Sequence, residues 1–302
     1  MTQHSQPIAI FGEALVDDFG ASQVVGGAPF NVARHLAAFG AATLTITRIG
    51  ADPFGATVRA QFERFGMPDA GLQVDPVRPT GRVLVEQQGG SHRFTILPDQ
   101  AYDHIDAHLA LTALAQGTPR MLYFGTLAQR GAVSRATLDS LLAATDAPRY
   151  LDLNLRDGQY TTEAVLESIR HADILKVNDE ELAWLQAALG LPRSEEADAC
   201  AALIAMFRLD SLVVTLGPRG ALWQGADGTR LHAAAPAGVE IVDTVGAGDA
   251  FSAVFLLGER HGWPRAATLA RANAFAAAIC GVRGAVPADA TFHAAWLRQW
   301  AE

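Results

Sequence analysis

Short apolar runs alternate with helical patterns along most of this chain. The runs are rich in β-branched residues and occur at residues 7–12, 44–50, 121–125, 150–154, 174–178 and 211–217. Strands that alternate with helices are typical of a parallel sheet covered by helices on both faces. One intervening helix fits this pattern, with Asp52 as its cap, Phe62 on its apolar face and Gly66 at its end. We therefore predict an α/β fold with a doubly wound, mainly parallel sheet.

Two consecutive strand patterns interrupt this alternation. GRVLVEQQG begins at residue 81 and HRFTILP ends at residue 98, and only a Gly-Gly-Ser turn joins them. We predict a hairpin that forms a small β lid together with about residues 13–25, with Phe94 and Ile96 facing a ligand. The alternative is an edge hairpin of the main sheet. No linker divides the chain, so residues 1–302 are expected to form one domain.

Composition excludes several classes of partner. The chain has 302 residues, half of them apolar, and 23 basic against 32 acidic residues give a net charge of −9. This balance offers no general attraction to nucleic acid or to an anionic membrane. Cys200 and Cys280 lack the spacing of a metal site and are expected to be free thiols. With no leader pattern and no apolar run of about 20 residues, a cytoplasmic location is expected.

The motif DTVGAGDAF, residues 243–251, carries the strongest chemical signal. Gly246 and Gly248 let the backbone approach a ligand, and the free N–H groups at the following helix start suit a phosphate. Asp249 would place a carboxylate beside them, where it can accept the proton of an attacking hydroxyl. The structural alternative is that Asp249 only caps a helix after a glycine turn.

A second motif, GGAPFNVARHLAAFG, covers residues 26–40. Its two glycines precede a predicted helix, and Asn31 lies at the entrance of that helix. The side-chain amide of Asn31 offers a donor and an acceptor to sugar hydroxyls, although an Asn at this position can also be a cap. Asp17 follows the first strand, at the carboxyl edge where doubly wound folds bind ligands.

Two further segments carry polar residues at strand ends. In DLNLR, the side chains of Asp152, Asn154 and Arg156 would share one polar wall if the strand persists. Arg156 would then neutralise a phosphoryl group, with a solvated arginine as the alternative. In NDEE, Asn178 ends a strand and Glu181 follows three residues later, which is also the spacing of a capping box.

GGAPFNVA and DTVGAGD resemble the two signatures of the ribokinase/PfkB carbohydrate kinases. Other segments follow in the order of that family: GEALVD at 12–17, IGADPFG at 49–55, DLNLR at 152–156, NDEE at 178–181 and TLGPRG at 215–220. The resemblance implies a ribokinase-like fold with a β lid. It also implies transfer of the γ-phosphoryl group of ATP to a sugar hydroxyl.

The resemblance assigns roles to individual residues. It implies that Asp249 is the base and that Gly246, Ala247 and Gly248 form an anion hole. It implies that the sugar contacts Asp17, Gly27, Asn31, Arg156 and Asp249. It implies that the nucleotide contacts Asn178, Thr215, Gly217, Gly248 and Asn273. Glu181 would act on Mg²⁺ through water, and the carbonyls of Asp243 and Val245 would hold K⁺.

The FGEALVD, GGAPFNVA and DLNLR segments look most like the fructokinase branch, so D-fructose is the expected acceptor and fructose 6-phosphate the product. The alternatives are 2-keto-3-deoxygluconate, for which Arg93 and Arg156 would supply cations, and another PfkB-type sugar substrate. A regulator that binds a sugar or nucleotide without catalysis would be expected to lack Asp249. Neither GxxxxGK[ST] nor an early GxGxxG occurs, which disfavours a Walker NTPase and a dinucleotide dehydrogenase. The family resemblance also implies a homodimer through the lid.

Overall fold

A computed structural model describes residues 6–88, 91–287 and 289–301. The strands are β1 (Ile8–Phe11), β2 (Leu15–Asp18), β3 (Gln23–Gly26), β4 (Thr43–Gly50), β5 (Leu72–Asp75), β6 (Gly81–Gln88), β7 (Ser91–Ile96), β8 (Met121–Phe124), β9 (Arg149–Asp152), β10 (Ile174–Asn178), β11 (Ser211–Thr215), β12 (Ala221–Gly225) and β13 (Arg230–Ala233). The helices are α1 (Ala28–Ala38), α2 (Pro53–Arg64), α3 (Ala107–Leu114), α4 (Ala132–Ala143), α5 (Thr162–Arg170), α6 (Asp179–Ala188), α7 (Glu196–Phe207), α8 (Ala247–His261), α9 (Arg265–Cys280) and α10 (Ala290–Ala301).

The larger sheet has nine strands in the order β13-β12-β11-β10-β9-β8-β1-β4-β5. The seven strands that run from β11 to β5 in this order pair in parallel, and β12 and β13 add an antiparallel edge. Ala9 and Phe11 pack in a core with α3 to α7, whereas Ile8 and Ile10 pack in a core with α1, α2, α8 and α9. The predicted doubly wound α/β fold is confirmed. The strand order reverses between β1 and β8, where such folds place ligands.

The smaller sheet has four strands in the order β3-β2-β6-β7. The predicted hairpin therefore pairs with β2, whereas the edge alternative would have joined it to the larger sheet. Its Gly-Gly turn, residues 89 and 90, lies outside the described residues. Register puts Asp17 opposite Val24 and Val83, so these side chains share one face of the sheet.

Local signals explain the helix ends. The Asp52 side chain accepts a 2.8 Å hydrogen bond from the Gly55 N–H and caps α2 as predicted, and Gly66 follows with φ +61°. Cys200 is buried, and neither Cys200 nor Cys280 forms a disulfide. Within the described ranges, no helix combines the length and apolar character needed to cross a membrane.

The strand predicted through DLNLR ends earlier than expected. Strand β9 stops at Asp152, and Asn154 adopts a left-handed conformation with φ +41°. The period-two alternation therefore does not continue to Arg156, which is exposed on the following loop. Asp152 is instead fully buried, so the three residues do not form the single polar wall that the pattern predicted.

Candidate active site

The starts of α1 and α8 meet beside the carboxyl ends of β1 and β8. Gly246 precedes α8 with φ +81°, and Asp249 lies in the first turn of that helix. The first N–H groups of a helix have no partners within it, so Gly248 can present a donor to an anion. The Ala247 N–H instead donates a 3.3 Å hydrogen bond to the Thr244 carbonyl. The Asn31 amide donates a 2.7 Å hydrogen bond to Oδ2 of Asp249. Two motifs that are distant in the sequence thus form one site.

Close backbone contacts fix the start of α1. Gly27 has φ +100°, and a Cβ there would lie 2.6 Å from the Glu13 carbonyl oxygen. The side chain of Glu13 accepts a 3.2 Å hydrogen bond from the Ala28 N–H. A Cβ on Gly26 would lie 2.9 Å from the Asp17 carboxylate. A glycine is therefore required at position 27, whereas a side chain at position 26 would displace the Asp17 carboxylate.

Arg34 orients the amide of Asn31. Its guanidinium donates hydrogen bonds to Asn31 Oδ1 and, at 2.9 Å, to the Val25 carbonyl. Because Oδ1 accepts from Arg34, the Nδ2 donor of Asn31 points to Asp249. Burial lowers the pKa of Arg34 to about 10, so it remains a cation at neutral pH. Sequence reasoning did not assign Arg34, although an arginine on the apolar helix face was a usable signal.

The carboxyl groups of the site hold protons more tightly than free ones. Burial raises the pKa of Asp249, and the hydrogen bond from Asn31 opposes this rise. Burial also raises the pKa of Asp17 to about 6, although the charges of Arg156 and Arg34 act against it. Arg156 is therefore electrostatically coupled to both carboxylates, despite its exposed position. A carboxylate with a raised pKa is a better proton acceptor near neutral pH.

A buried ion pair lies under the predicted anion hole. Lys176 Nζ is 2.9 Å from Asp152 Oδ1, and Ser252 donates a 2.7 Å hydrogen bond to Asp152 Oδ2. Burial opposes the charge of Lys176, but the Asp152 carboxylate raises its pKa above the usual value. A Cβ on Gly248 would lie 3.1 Å from Lys176 Nζ, so this cation is close to the backbone of the predicted anion hole. Sequence reasoning missed Lys176, although a lysine inside the apolar strand β10 was a signal.

Asn178 and Glu181 form a capping box at the start of α6. The Asn178 side chain accepts from the Glu181 N–H at 2.7 Å, and Glu181 Oε2 accepts from the Asn178 N–H at 2.9 Å. Glu181 Oε1 accepts a further 2.7 Å hydrogen bond from the Leu155 N–H. The capping box, which the sequence offered as the structural alternative for this motif, is thus formed. Two of about four lone-pair positions on the carboxylate remain for other partners.

The remaining predicted nucleotide contacts lie along the same sheet edge. Thr215 is paired with Asn178 across β11 and β10, and Gly217 follows in a left-handed conformation with φ +56°. Asn273 lies on α9, where its amide donates a 3.0 Å hydrogen bond to the Ala233 carbonyl. This bond ties α9 to β13. Its predicted position beside the adenine stays a prediction.

The segment predicted to bind K⁺ is held by the loop after α9. The Cys280 carbonyl accepts from the Val242 and Asp243 N–H groups at 2.8 and 3.1 Å. The Gly284 N–H donates to Asp243 Oδ2 at 3.1 Å. Val245 is exposed beside this contact. Within the described part of the chain, no group of three or more His, Cys, Asp or Glu side chains is arranged to hold a metal.

Comparisons with known proteins identify the family of this chain. The sequence pattern described as pfkB family carbohydrate kinase matches residues 6–291. A fructokinase of Klebsiella pneumoniae is 30% identical over 85% of this chain and 86% of its own length. A fructokinase of Escherichia coli is 28% identical over 84% of both chains.

Solved structures of sugar and nucleoside kinases are similar to this chain over nearly its whole length. A Vibrio cholerae fructokinase with bound fructose, ADP and calcium has a TM-score of 0.76 and 26% identity, covering 93% of this chain and 95% of that one. An aminoimidazole riboside kinase of Salmonella enterica, complexed with that riboside and an ATP analogue, has a TM-score of 0.78 and 25% identity over 97% and 100%. An ATP-bound fructokinase of Xylella fastidiosa, at 21% identity, shares the fold with a TM-score of 0.82 over 99% and 100%. The chain is therefore a member of the pfkB family of carbohydrate kinases and an ATP-dependent sugar kinase.

Proposed function

We propose that this sugar kinase phosphorylates D-fructose at its terminal hydroxyl to give fructose 6-phosphate. The observation that carries the site is the 2.7 Å hydrogen bond between Asn31 and Asp249. It joins a group suited to hold sugar hydroxyls to a carboxylate suited to deprotonate one. Support for fructose comes from relatives of that name, including one that is 30% identical.

Asp249 acts as the general base in this proposal. Its carboxylate accepts the proton of the sugar hydroxyl as the oxygen attacks the γ-phosphorus of ATP. The bond from phosphorus to the leaving oxygen of ADP breaks as the new bond forms, so ADP departs with that electron pair. The backbone N–H groups of Gly246, Ala247 and Gly248 would donate to the transferring group, with Ala247 exchanging its 3.3 Å bond to the Thr244 carbonyl for this contact. The Lys176 cation under Gly248 stabilises the same charge at close range.

The sugar is held by groups from both sheets. Asp17 comes from the smaller sheet, whereas Gly27 and Asn31 belong to the start of α1, and Arg156 follows β9. Arg156 lies close enough for its charge to act on Asp17 and Asp249. The nucleotide phosphates lie near Asn178, Thr215 and Gly248, with Gly217 and Asn273 further along the same edge.

The residues near the predicted nucleotide site suit a Mg²⁺ ion that binds together with the nucleotide phosphates. Mg²⁺ keeps several waters and binds substrate phosphates, so one buried carboxylate near its water shell is sufficient. Glu181 has lone pairs left for such a water beside its capping hydrogen bonds. Mg²⁺ supplies charge neutralisation on the phosphates when it is bound.

A monovalent cation is proposed beside the anion hole. The carbonyl oxygens of Asp243 and Val245 would hold K⁺, with the carboxylate of Asp243 as nearby negative charge. The loop after α9 fits this role, because its contacts with Asp243 fix the backbone of that segment. A double mutant of the Vibrio cholerae fructokinase carries a bound potassium ion.

Charge on the smaller sheet favours a neutral acceptor. Arg93 pairs with Glu86, and Phe94 pairs with Val85, so the two alternate between faces of the sheet. Phe94 shares the face of Asp17, whereas Arg93 lies on the opposite face. An acidic sugar such as 2-keto-3-deoxygluconate, the second candidate, would therefore depend on Arg156 and on the buried Arg34 for positive charge.

We further propose that the smaller sheet is a lid over the sugar and that two copies of the chain pair through it. Val24 and Phe94 are 42% and 55% exposed on the face that carries Asp17. Apolar area of this kind is suited to covering a sugar ring or a second lid. Light scattering after size-exclusion chromatography tests the pairing, and a monomer at micromolar concentration would refute it.

A competition assay tests the acceptor. Fructose, 2-keto-3-deoxygluconate and ribose are supplied at equal concentration with ATP and Mg²⁺, and the phosphorylated products are separated and identified. We expect the specificity constant to be highest for fructose. A higher value for either competitor would reject fructose while leaving the kinase assignment intact. Addition of aminoimidazole riboside extends the test to a nucleoside acceptor.

A further inference from the structure

Two buried histidines join α1, α10 and the loop after α9. His35 Nδ1 and His293 Nε2 are 2.9 Å apart, and His35 Nε2 is 3.0 Å from the Ala285 carbonyl oxygen. Both residues are buried, with an exposed fraction of 0% for His35 and 1% for His293. Neither histidine has a part in the phosphoryl transfer described above.

The proton positions in this chain of hydrogen bonds follow from its end. A carbonyl oxygen can only accept, so His35 carries its proton on Nε2 and donates to Ala285. His35 Nδ1 is then an acceptor, and His293 Nε2–H must donate to it. Burial lowers the pKa of His293 to about 4 and that of His35 well below its usual value. Both rings therefore stay neutral near pH 7, and the direction of the chain is fixed.

Ala285 lies directly against the anion hole. A Cβ built on Gly246 would be 2.4 Å from the Ala285 Cβ and 2.5 Å from its Cα. The same loop is tied to the preceding segment by the 3.1 Å hydrogen bond from the Gly284 N–H to Asp243. A shift of Ala285 would therefore be transmitted to Gly246, whose left-handed backbone begins α8.

We propose that His35 and His293 are positioning residues that hold the loop of residues 281–287 against Gly246 and so fix the shape of the anion hole. His35 lies one helical turn after Asn31, so a single helix orients both the sugar amide and this loop. The inference rests on the proposed role of Gly246, Ala247 and Gly248. Displacement of catalytic groups by about 1 Å can lower a rate by about 10²-fold.

A purely packing role is the alternative to test. The His35 ring packs edge-on against Phe275 at 5.4 Å between centroids, and His293 contacts Phe39 in the same manner at 4.8 Å. Loss of packing alone would lower thermal stability without a selective effect on turnover. The test therefore needs pairs of variants that both lack the histidine ring but differ in whether they keep the hydrogen bond.

Matched amide substitutions provide this difference. The side-chain nitrogen of Gln reaches the position of histidine Nε2, whereas that of Asn reaches only Nδ1. We expect His35→Gln to keep most of the kcat for the preferred sugar, and His35→Asn to lower kcat by roughly tenfold or more with little change in the sugar KM. His293→Gln and His293→Asn should differ in the same direction by a smaller factor.

Two controls separate the explanations. Phe275→Leu should lower Tm and leave kcat nearly unchanged, because it removes packing but no hydrogen bond. Gly246→Ala, which would clash with Ala285, should lower kcat strongly if the anion hole acts as proposed. A low kcat for Gly246→Ala with full kcat for His35→Asn would overturn the positioning role alone. Full kcat for Gly246→Ala would instead remove the anion-hole role and the inference with it.

A spectroscopic measurement covers the case in which the Asn variants fail to fold. Long-range ¹H–¹⁵N spectra of the wild-type protein report which ring nitrogen carries the proton, and the Gln variants assign the two signals. We expect both His35 and His293 to be Nε2–H tautomers from pH 6 to 8. A proton on Nδ1 of His35, or a ring that titrates in this range, would refute the proposed chain.

Discussion

The amide of Asn31 and the carboxylate of Asp249 are joined by a 2.7 Å hydrogen bond across 218 residues of sequence. Arg34 holds the opposite end of the same amide. The Asn31 amide therefore cannot flip by 180° without losing its bonds to both Asp249 and Arg34. The starts of α1 and α8 are thus held in one arrangement.

Asp249→Asn should lower kcat by roughly 10²–10⁴-fold, the range for loss of a general base. ATP binding and thermal stability should change little, because an Asn side chain keeps similar size and can still bond to Asn31. Steady-state kinetics and calorimetric titration with ATP measure the two effects. The structure already speaks against the capping alternative, because Gly246 is the N-cap of α8 and no side chain caps that helix. Near wild-type turnover would mean that Asp249 is not the base.

Lys176→Met should lose both stability and rate. It leaves the buried Asp152 carboxylate without its cation, which typically costs about 3–5 kcal/mol, and it removes positive charge beneath Gly248. The double variant Lys176→Met, Asp152→Asn should recover much of the free energy of unfolding but not the kcat. Urea unfolding measures the free energy of unfolding, and steady-state kinetics measure kcat. If the double variant recovered both quantities, Lys176 would have a structural role only.

Glu181→Gln should raise the Mg²⁺ concentration needed for half-maximal rate, because a negative charge near the metal's water shell is lost. The KM for the sugar should stay nearly constant. Initial rates over a Mg²⁺ series provide the measurement, with Asp179→Asn, a neighbouring exposed carboxylate, as the control. An unchanged Mg²⁺ profile with a lower Tm would leave only the capping role.

Glu13 should make the stability of the fold depend on pH. Burial raises its pKa from 4.5 to about 7, so the folded state binds a proton that the unfolded state releases between these values. The free energy of unfolding should therefore fall as pH rises from 4.5 to 7, by roughly 3 kcal/mol relative to Glu13→Gln. Urea unfolding of both proteins across this range tests the sign. Parallel curves would show that Glu13 does not titrate there.

Activity should be higher in KCl than in a chloride of a large organic cation at equal ionic strength. The physical reason is that the carbonyl oxygens of Asp243 and Val245 would both contact a small cation that has lost its water. A large organic cation would not fit between them. Rates in the two salts at saturating ATP and Mg²⁺ give the comparison. Equal rates would argue against activation by K⁺.

The sequence predicted the elements whose signals are local. The alternation of strands and helices predicted the doubly wound sheet, and the absence of a helix between residues 81 and 98 predicted the separate hairpin. Asp249 and Asn31 were identified because glycines precede each helix. Their direct contact was beyond local reasoning, since it depends on how α1 and α8 pack.

The parts that sequence reasoning missed depend on tertiary context. The alternation through DLNLR failed because Asn154 leaves the extended region, and no local rule requires that change. Lys176 looked like one residue of an ordinary strand until its partner Asp152 and its contact with Gly248 were known. Arg34 acquires its role only because Asn31 and Val25 both accept from it.

Asp17 belongs to the smaller sheet, whereas Asn31 and Asp249 belong to helices of the larger body. In the proposed function, one sugar contact thus lies on a sheet separate from the helix that carries the base. If these roles hold, changes to the strands around Asp17 would alter one side of the sugar site and leave the hydrogen bond between Asn31 and Asp249 in place. The same arrangement would let the acceptor change without a change in the group that takes the proton.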